Sequence, residues 1–154
     1  MGSREVTTVE AALGAVRRLA IDTAPIIYLV ERHPVYADRM RSIVERAEKG
    51  LCQLVTSALT LTEVLTLPLE NQAVEIAEAY RTILLGTPYT RLVPIDSEAA
   101  EQAARLRAKY RLKTPDAIQL AIALQARCDA FLTNDGRLRR VDVLPVVLLS
   151  ELAD

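Results

Sequence analysis

The sequence predicts an α/β fold in which a mostly parallel sheet is covered by helices on both faces. Two observations carry this expectation. Short apolar runs of strand length occur at Leu19-Ala20-Ile21, Leu51 to Val55, Arg91-Leu92-Val93, Ala130 to Thr133 and Val146 to Leu149. Longer stretches with helical periodicity separate them, and this alternation is the pattern of a parallel sheet buried on both faces. A third observation bears on function: four isolated carboxylates stand in or beside these core-forming segments.

Taken in order, Thr7-Thr8-Val9-Glu10 reads as a capping box, with Val9, Leu13 and Val16 at helical spacing and Arg17-Arg18 at the C-terminal end. A short amphipathic extension over residues 1–17, either helix or flexible arm, is therefore expected before the first strand. That strand ends at Asp22. Pro34 to Lys49 is charged and periodic; Ala58 to Leu67 and Val74 to Leu85 read as helices. Asp96 caps a helix reaching Tyr110, with Glu98 at its start and basic residues at its end. Thr114 as N-cap and Pro115 at the first helical position open another helix, to Arg127. Ala130 to Thr133 then leads into Asn134-Asp135-Gly136, a turn-forming sequence.

At 154 residues the chain is expected to form one domain, 1–154, burying roughly two thirds of its unfolded surface. No apolar run approaches the ~18 residues of a membrane span, and the first residues lead into no signal-peptide core, so a cytoplasmic location is the default expectation. Cys52 and Cys128 each lie in an apolar stretch and read as buried reduced thiols. The net charge of −1 argues by itself against a nucleic-acid binder. With the four unusual acids set aside, however, 19 basic residues face 16 acidic ones for a net of +3, which leaves a polyanionic substrate open.

Asp22 is the only charged residue from Leu19 to Val30, Glu63 from Gly50 to Leu69, and Asp116 from Thr114 to Ala126, while Asp135 closely follows the run Ala130-Phe131-Leu132. Burying a lone carboxylate costs several kcal/mol or forces protonation, so such residues call for a compensating cation. Asp22 and Asp135 fall at the C-terminal ends of two strands, where parallel sheets place ligand sites. Each acid also has a plain structural role open to it: Asp22 could cap a helix, Asp116 could favour a helix N-terminus, and Asp135 could make a turn. Glu63 has none, because it sits mid-helix between Leu59 and Leu67 on a face that reads as buried. A hard divalent ion, Mg²⁺ or Mn²⁺, suits a set of oxygen ligands and would support phosphodiester hydrolysis.

Competing chemistries are poorly supplied. The one histidine, His33, lies in Glu31-Arg32-His33-Pro34 and reads as a solvated or capping residue, and the five scattered glycines form no phosphate loop. Arg105, Arg107, Lys109, Arg111 and Lys113 precede Asp116, and Arg137, Arg139 and Arg140 follow Asp135. The first group suits a helix C-terminus. Lys113, Arg137, Arg139 and Arg140 are the candidate contacts to an RNA or DNA backbone.

At these residues the chain resembles the PIN-domain family, and within it the VapC-type toxins of toxin–antitoxin pairs. The matching segments are Leu19-Ala20-Ile21-Asp22-Thr23, Thr60-Leu61-Thr62-Glu63-Val64, Thr114-Pro115-Asp116-Ala117-Ile118-Gln119-Leu120-Ala121 and Phe131-Leu132-Thr133-Asn134-Asp135. The resemblance implies a three-layer α/β/α sandwich with a five-stranded parallel sheet. It implies an acidic pocket in which Asp22, Glu63, Asp116 and Asp135 are catalytic and bind Mg²⁺ or Mn²⁺, lined also by Thr23, Thr133 and Asn134. It further implies endoribonuclease activity, a homodimer, and inhibition by a small antitoxin whose tail enters the pocket. A housekeeping PIN nuclease without an antitoxin is the alternative within this chemistry. A non-enzymatic interaction module, or a phosphoacceptor domain modified at Asp22, is the alternative outside it; neither needs Glu63 and Asp116 in apolar settings.

Overall fold

The computed structural model describes residues 6–153. Residues 1–5 of the expected N-terminal extension lie outside the described residues. In chain order the elements are β1 (Thr7–Thr8), α1 (Val9–Leu13), β2 (Arg18–Ile21), α2 (Thr23–Val30), α3 (Ala37–Glu48), β3 (Gln53–Ser57), α4 (Ala58–Glu70), α5 (Val74–Leu85), β4 (Thr90–Val93), α6 (Ser97–Tyr110), α7 (Thr114–Gln125), β5 (Ala130–Thr133), β6 (Val146–Leu148) and β7 (Leu152–Ala153). Two 3₁₀ turns, Gly136–Arg140 and Leu149–Glu151, flank β6.

Five strands form one parallel sheet in the order β4-β3-β2-β5-β6. Their side chains alternate between faces, as strand geometry requires. Leu19, Ile21, Leu54 and Leu132 join the core beneath α1 to α5. Ala20 and Phe131 pack with residues of α6 and α7, and Val55 packs with Ala99, Ile122 and Ala126 of the same layer. The result is the three-layer α/β/α arrangement. Leu132, fully buried in β5, illustrates the stakes: Leu132→Ala should lower the unfolding free energy by about 2–5 kcal/mol. The expected reading is a lower denaturant midpoint with an unchanged slope.

The topology positions the site. From β2 the chain moves outward through β3 to β4, then returns through α6 and α7 to β5 on the other side of β2. The crevice at such a reversal lies beyond the carboxyl ends of β2 and β5, which pair with Ile21 opposite Leu132. Asp129 fixes the entry to both strands, its carboxylate accepting from Arg17 N at 2.8 Å and Arg18 N at 2.9 Å.

Several local expectations need correction. The N-terminal helix is capped by Thr8, whose hydroxyl accepts from Ala11 N at 3.1 Å, so Thr7 is not the cap. Glu10 is drawn instead to Arg46, a buried guanidinium that also donates to the Leu13 carbonyl. Arg18 belongs to β2 rather than to the helix end. Thr7 and Thr8 pair in parallel with Leu152 and Ala153, a two-strand clip absent from the sequence reading. Lys113, not Thr114, caps α7, because its carbonyl accepts the first helical bond, from Ala117 N at 3.0 Å. Both cysteines are free but only half-buried, and burial pushes the Cys128 thiol up to about 12.

Candidate active site

The crevice at the sheet reversal holds a pocket of about 480 Å³. All four singled-out acids line it, together with Thr23, Thr133 and Asn134. Asp22 directly follows β2 and is also the N-cap of α2, its Oδ1 accepting from Thr23 N at 2.9 Å. Its Oδ2 accepts from the Thr133 hydroxyl at 2.7 Å. Asp135 follows β5 and caps the first 3₁₀ turn, with Oδ1 accepting from Arg137 N at 3.0 Å. The local roles and the shared pocket therefore coexist: a strand-end cap is what aims each carboxylate over the sheet edge.

Glu63 reaches the pocket for a different reason from the one its sequence suggests. The buried stripe of α4 is Thr60, Val64 and Pro68, whereas Leu59 is half-buried and Leu67 is 61 % exposed. Glu63 lies about 100° round the helix from Val64, at the margin of the packed stripe. It is exposed, not stranded in the core, and the Thr23 hydroxyl donates to its Oε1 at 2.8 Å.

The electrostatics are those of a partly compensated acid cluster, in which, among the described residues, Asp135 has a cationic partner and Asp22 has none. Burial pushes the Asp22 carboxyl up, opposed by its hydrogen bonds from Thr133 and Thr23, with repulsion from Glu63 and Asp135 adding to the rise. Asp116 is also raised, first by burial and then by Asp22 and Asp135, while Arg137 and Lys113 pull it down. Asp135 is held low, chiefly by a two-pronged pair with Arg137: Nε to Oδ1 at 3.0 Å and Nη2 to Oδ2 at 2.7 Å. The donors are all hard oxygens, which suits Mg²⁺ or Mn²⁺ and not the thiolate or imidazole metals. Among the described residues no three His, Cys, Asp or Glu side chains converge as a ready-made cage. The four carboxylates share the lining of one pocket without closing round a single point.

Beneath the acids runs a polar network that the sequence reading missed. Gln119, 4 % exposed on α7, donates from Nε2 to the hydroxyls of Thr23 at 3.1 Å and buried Thr60 at 2.8 Å. The two hydroxyls are 3.0 Å apart. With both amide protons used this way, and the single Thr23 proton directed to Glu63, Thr60 must donate to Thr23. Each proton thus points toward Glu63, whose Oε1 is the terminal acceptor. The available signal was an uncharged amide on an otherwise apolar helix face, three residues after Asp116.

The basic candidates divide. Arg137 faces the acids, and Lys113 is close enough to lower both Asp116 and Asp135. Arg139 pairs with Glu151 instead, and Arg140 donates to the Tyr110 carbonyl. Arg105 pairs with Glu101 at 3.5 Å, and Arg107 Nε bonds the Leu112 carbonyl at 3.1 Å, so these two serve the helix and its exit. His33 is a capping residue, its Nδ1 accepting from Val35 N and Tyr36 N at 3.1 Å each.

The fold is shared with solved toxin–antitoxin proteins. A toxin–antitoxin complex from Klebsiella pneumoniae matches with 23% identity and a TM-score of 0.65, covering 86% of this chain and 98% of its counterpart. VapBC2 from Rickettsia felis, bound to a promoter DNA fragment, matches with 13% identity and a TM-score of 0.67, covering 85% and 98%. VapC20 from Mycobacterium tuberculosis, described as a sarcin–ricin loop cleaving toxin, matches with 17% identity and a TM-score of 0.62, covering 77% and 90%. At these identities the likeness establishes architecture. No curated protein matches the sequence at a significant level. A family model for the PIN domain matches residues 19–144, which span β2 to the approach to β6 and include all four acids. The chain belongs to the PIN domain family.

Proposed function

We propose that the protein is a metal-dependent endoribonuclease, the toxin of a type II toxin–antitoxin pair, acting in the cytoplasm. The observation that carries the reading is the meeting of Asp22, Glu63, Asp116 and Asp135, from two strand ends and two helices, in one pocket at the sheet reversal. Family membership supports the nuclease chemistry, and the toxin–antitoxin neighbours support the biological role. Among the described residues no helix is long and apolar enough to cross a membrane. Leu67, Leu69, Val74 and Leu85 lie exposed on α4 and α5, and Leu67 is one turn from Glu63. Apolar surface of this kind suits partner proteins, for which a second copy of the chain and an antitoxin are the expected covers.

In this reading the four carboxylates hold Mg²⁺ or Mn²⁺. A bound ion of this type supplies Lewis acidity toward a phosphoryl oxygen and makes water a better nucleophile near neutral pH. The protein's own contribution is placement. Thr133 and the Thr23 amide fix the two oxygens of Asp22, and the Thr23 hydroxyl fixes Glu63. Lys113 and Arg137 stand at the acid rim, where they offset repulsion between the carboxylates and an approaching backbone phosphate.

The reading predicts RNA cleavage by purified protein in Mn²⁺ or Mg²⁺ that stops in excess chelator and returns when the ion is restored. Cleavage at an equal rate in chelator would overturn it. Growth arrest on expression, relieved by co-expression of a neighbouring antitoxin gene, is the expected sign of the toxin role.

A further inference from the structure

Beside the acidic pocket lies a smaller cavity of about 90 Å³, whose charged lining is Arg111, Lys113, Arg137, Arg140, Asp116 and Asp135. Asp116 and Asp135 line both cavities, so the two share a wall. Four cations against two carboxylates make the smaller one basic where its neighbour is acidic.

The backbone fixes this grouping. Gly136–Arg140 is a 3₁₀ helix with about three residues per turn, so Arg137 and Arg140 stand on one side of it. Arg139 faces elsewhere, toward Glu151. Leu138 between them is 1 % exposed and anchors the turn. On the opposite wall the bend from Arg111 to Lys113 is pinned by buried Leu112. Two hydrogen bonds hold the same bend, Arg111 N to the Arg107 carbonyl at 2.8 Å and Arg107 Nε to the Leu112 carbonyl at 3.1 Å. Part of the charge of Arg137 and Lys113 is already answered by the acids of the shared wall. Arg140 donates only to a neutral carbonyl, and the Arg111 side chain makes no hydrogen bond or ion pair among the described residues.

We propose that this basic cavity is a phosphate subsite, taking the backbone phosphate next to the one cut in the acidic pocket. The inference rests on the nuclease reading above. A nucleic-acid strand carries one negative charge per nucleotide, so a strand with one phosphate over four carboxylates brings its next phosphate close to the same acids. A fixed cationic seat across the shared wall supplies the attraction that an acidic pocket alone lacks. Guanidinium groups suit this task because their planar fork matches phosphate oxygens.

The test separates binding from cleavage by using the full chain with Asp22→Asn. Anisotropy of a labelled oligoribonucleotide is measured against salt for this parent and for the parent carrying Arg111→Gln and Lys113→Gln. The cavity variant should bind about 5- to 10-fold more weakly at moderate salt, and its slope of log affinity on log salt should fall by about 0.7, the value of one lost single-strand phosphate contact. Arg140→Gln tests the opposite wall independently of the Arg111 bend, and Arg105→Gln, outside the cavity, should change neither quantity. An oligonucleotide made neutral by a methylphosphonate at one linkage in turn should weaken the parent most at a single linkage, adjacent to the cut. The cavity variant should show no further loss there. Parent-like affinity and slope in both the Arg111/Lys113 and the Arg140 variants would overturn the subsite. Cleavage is scored separately with wild type, so a cleaving enzyme whose cavity variants bind like the parent keeps the nuclease reading and rejects the subsite. Cavity-dependent RNA binding by a protein that cleaves nothing does the reverse.

Discussion

Asp22→Asn and Asp116→Asn are each expected to reduce Mn²⁺-dependent RNA cleavage by roughly 10³-fold or more while leaving the fold intact, since each removes several kcal/mol of charge stabilisation. Both carboxyls are raised by burial and by their acidic neighbours. Each therefore gains more from a cation than an exposed acid would. Neither substitution removes a cap or creates a cavity: an Asn at position 22 can still accept from Thr23 N and meet the Thr133 hydroxyl.

The same substitution should act on stability with the opposite sign. Because the Asp22 pKa is raised on folding, the folded state takes up a proton more readily than the unfolded chain. Its stabilising contribution is full at pH below the unfolded value, near 3.8, and is lost as pH rises through the raised folded value. Without metal, ionised Asp22 is thus a burden at pH 7, and Asp22→Asn should melt above wild type there. The difference should narrow as pH is lowered from 7 toward about 4, because the raised wild-type carboxyl takes up its proton more readily in the fold than in the unfolded chain. Saturating Mn²⁺ should reverse the order at pH 7, since a ligand that binds only the native state raises its stability and the variant has lost most of that binding. Melting curves at the two pH values, with and without Mn²⁺, check all three signs.

Thr60→Val is expected to weaken Mn²⁺ binding about 10- to 100-fold although Thr60 lines no part of the pocket, the usual range for losing a group that orients a metal ligand. The substitution keeps the side-chain shape but deletes the proton that Thr60 gives Thr23 and the acceptor that Gln119 uses. Thr23 is then free to turn from Glu63. Gln119→Met should act in the same direction by removing both amide donors. Some stability will go as well, about 1–3 kcal/mol for buried groups left unpaired, so a melting change alone does not identify the role. Two readouts do. Thr60→Ser restores the hydroxyl and should restore Mn²⁺ affinity, and in a Glu63→Gln background Thr60→Val should cost no further affinity. Independent losses in that double variant would make Thr60 a structural residue only.

The sheet was readable because its strands are apolar on both faces and are separated by helices, a pattern that buried parallel pairing imposes on sequence. Asp22 and Asp135 were readable for the related reason that charge directly after such a strand marks the sheet's carboxyl edge. Glu63 was found through an incorrect premise: periodicity gave its helix but not the helix's rotation, which depends on Thr60, Val64 and Pro68 meeting the core. The clip of Thr7-Thr8 with Leu152-Ala153 left no trace because two residues carry no period and the pairing spans almost the whole chain. Arg137, Arg139 and Arg140 looked equivalent in sequence. A 3₁₀ turn separates them, and its three-residue repeat is hard to read in a five-residue segment. Gln119 and Thr60 escaped because neutral polar residues in apolar helices have no distinctive spacing; their meaning lies in each other's position.

The central claim is that Asp22, Glu63, Asp116 and Asp135 together form a divalent-metal site, and titration calorimetry of Mn²⁺ into the purified chain at pH 7 tests it most directly. Saturable binding to wild type that is lost in Asp22→Asn and in Asp116→Asn, with both variants folded, is the predicted result. Absence of binding to wild type, or binding that both variants retain unchanged, would contradict it.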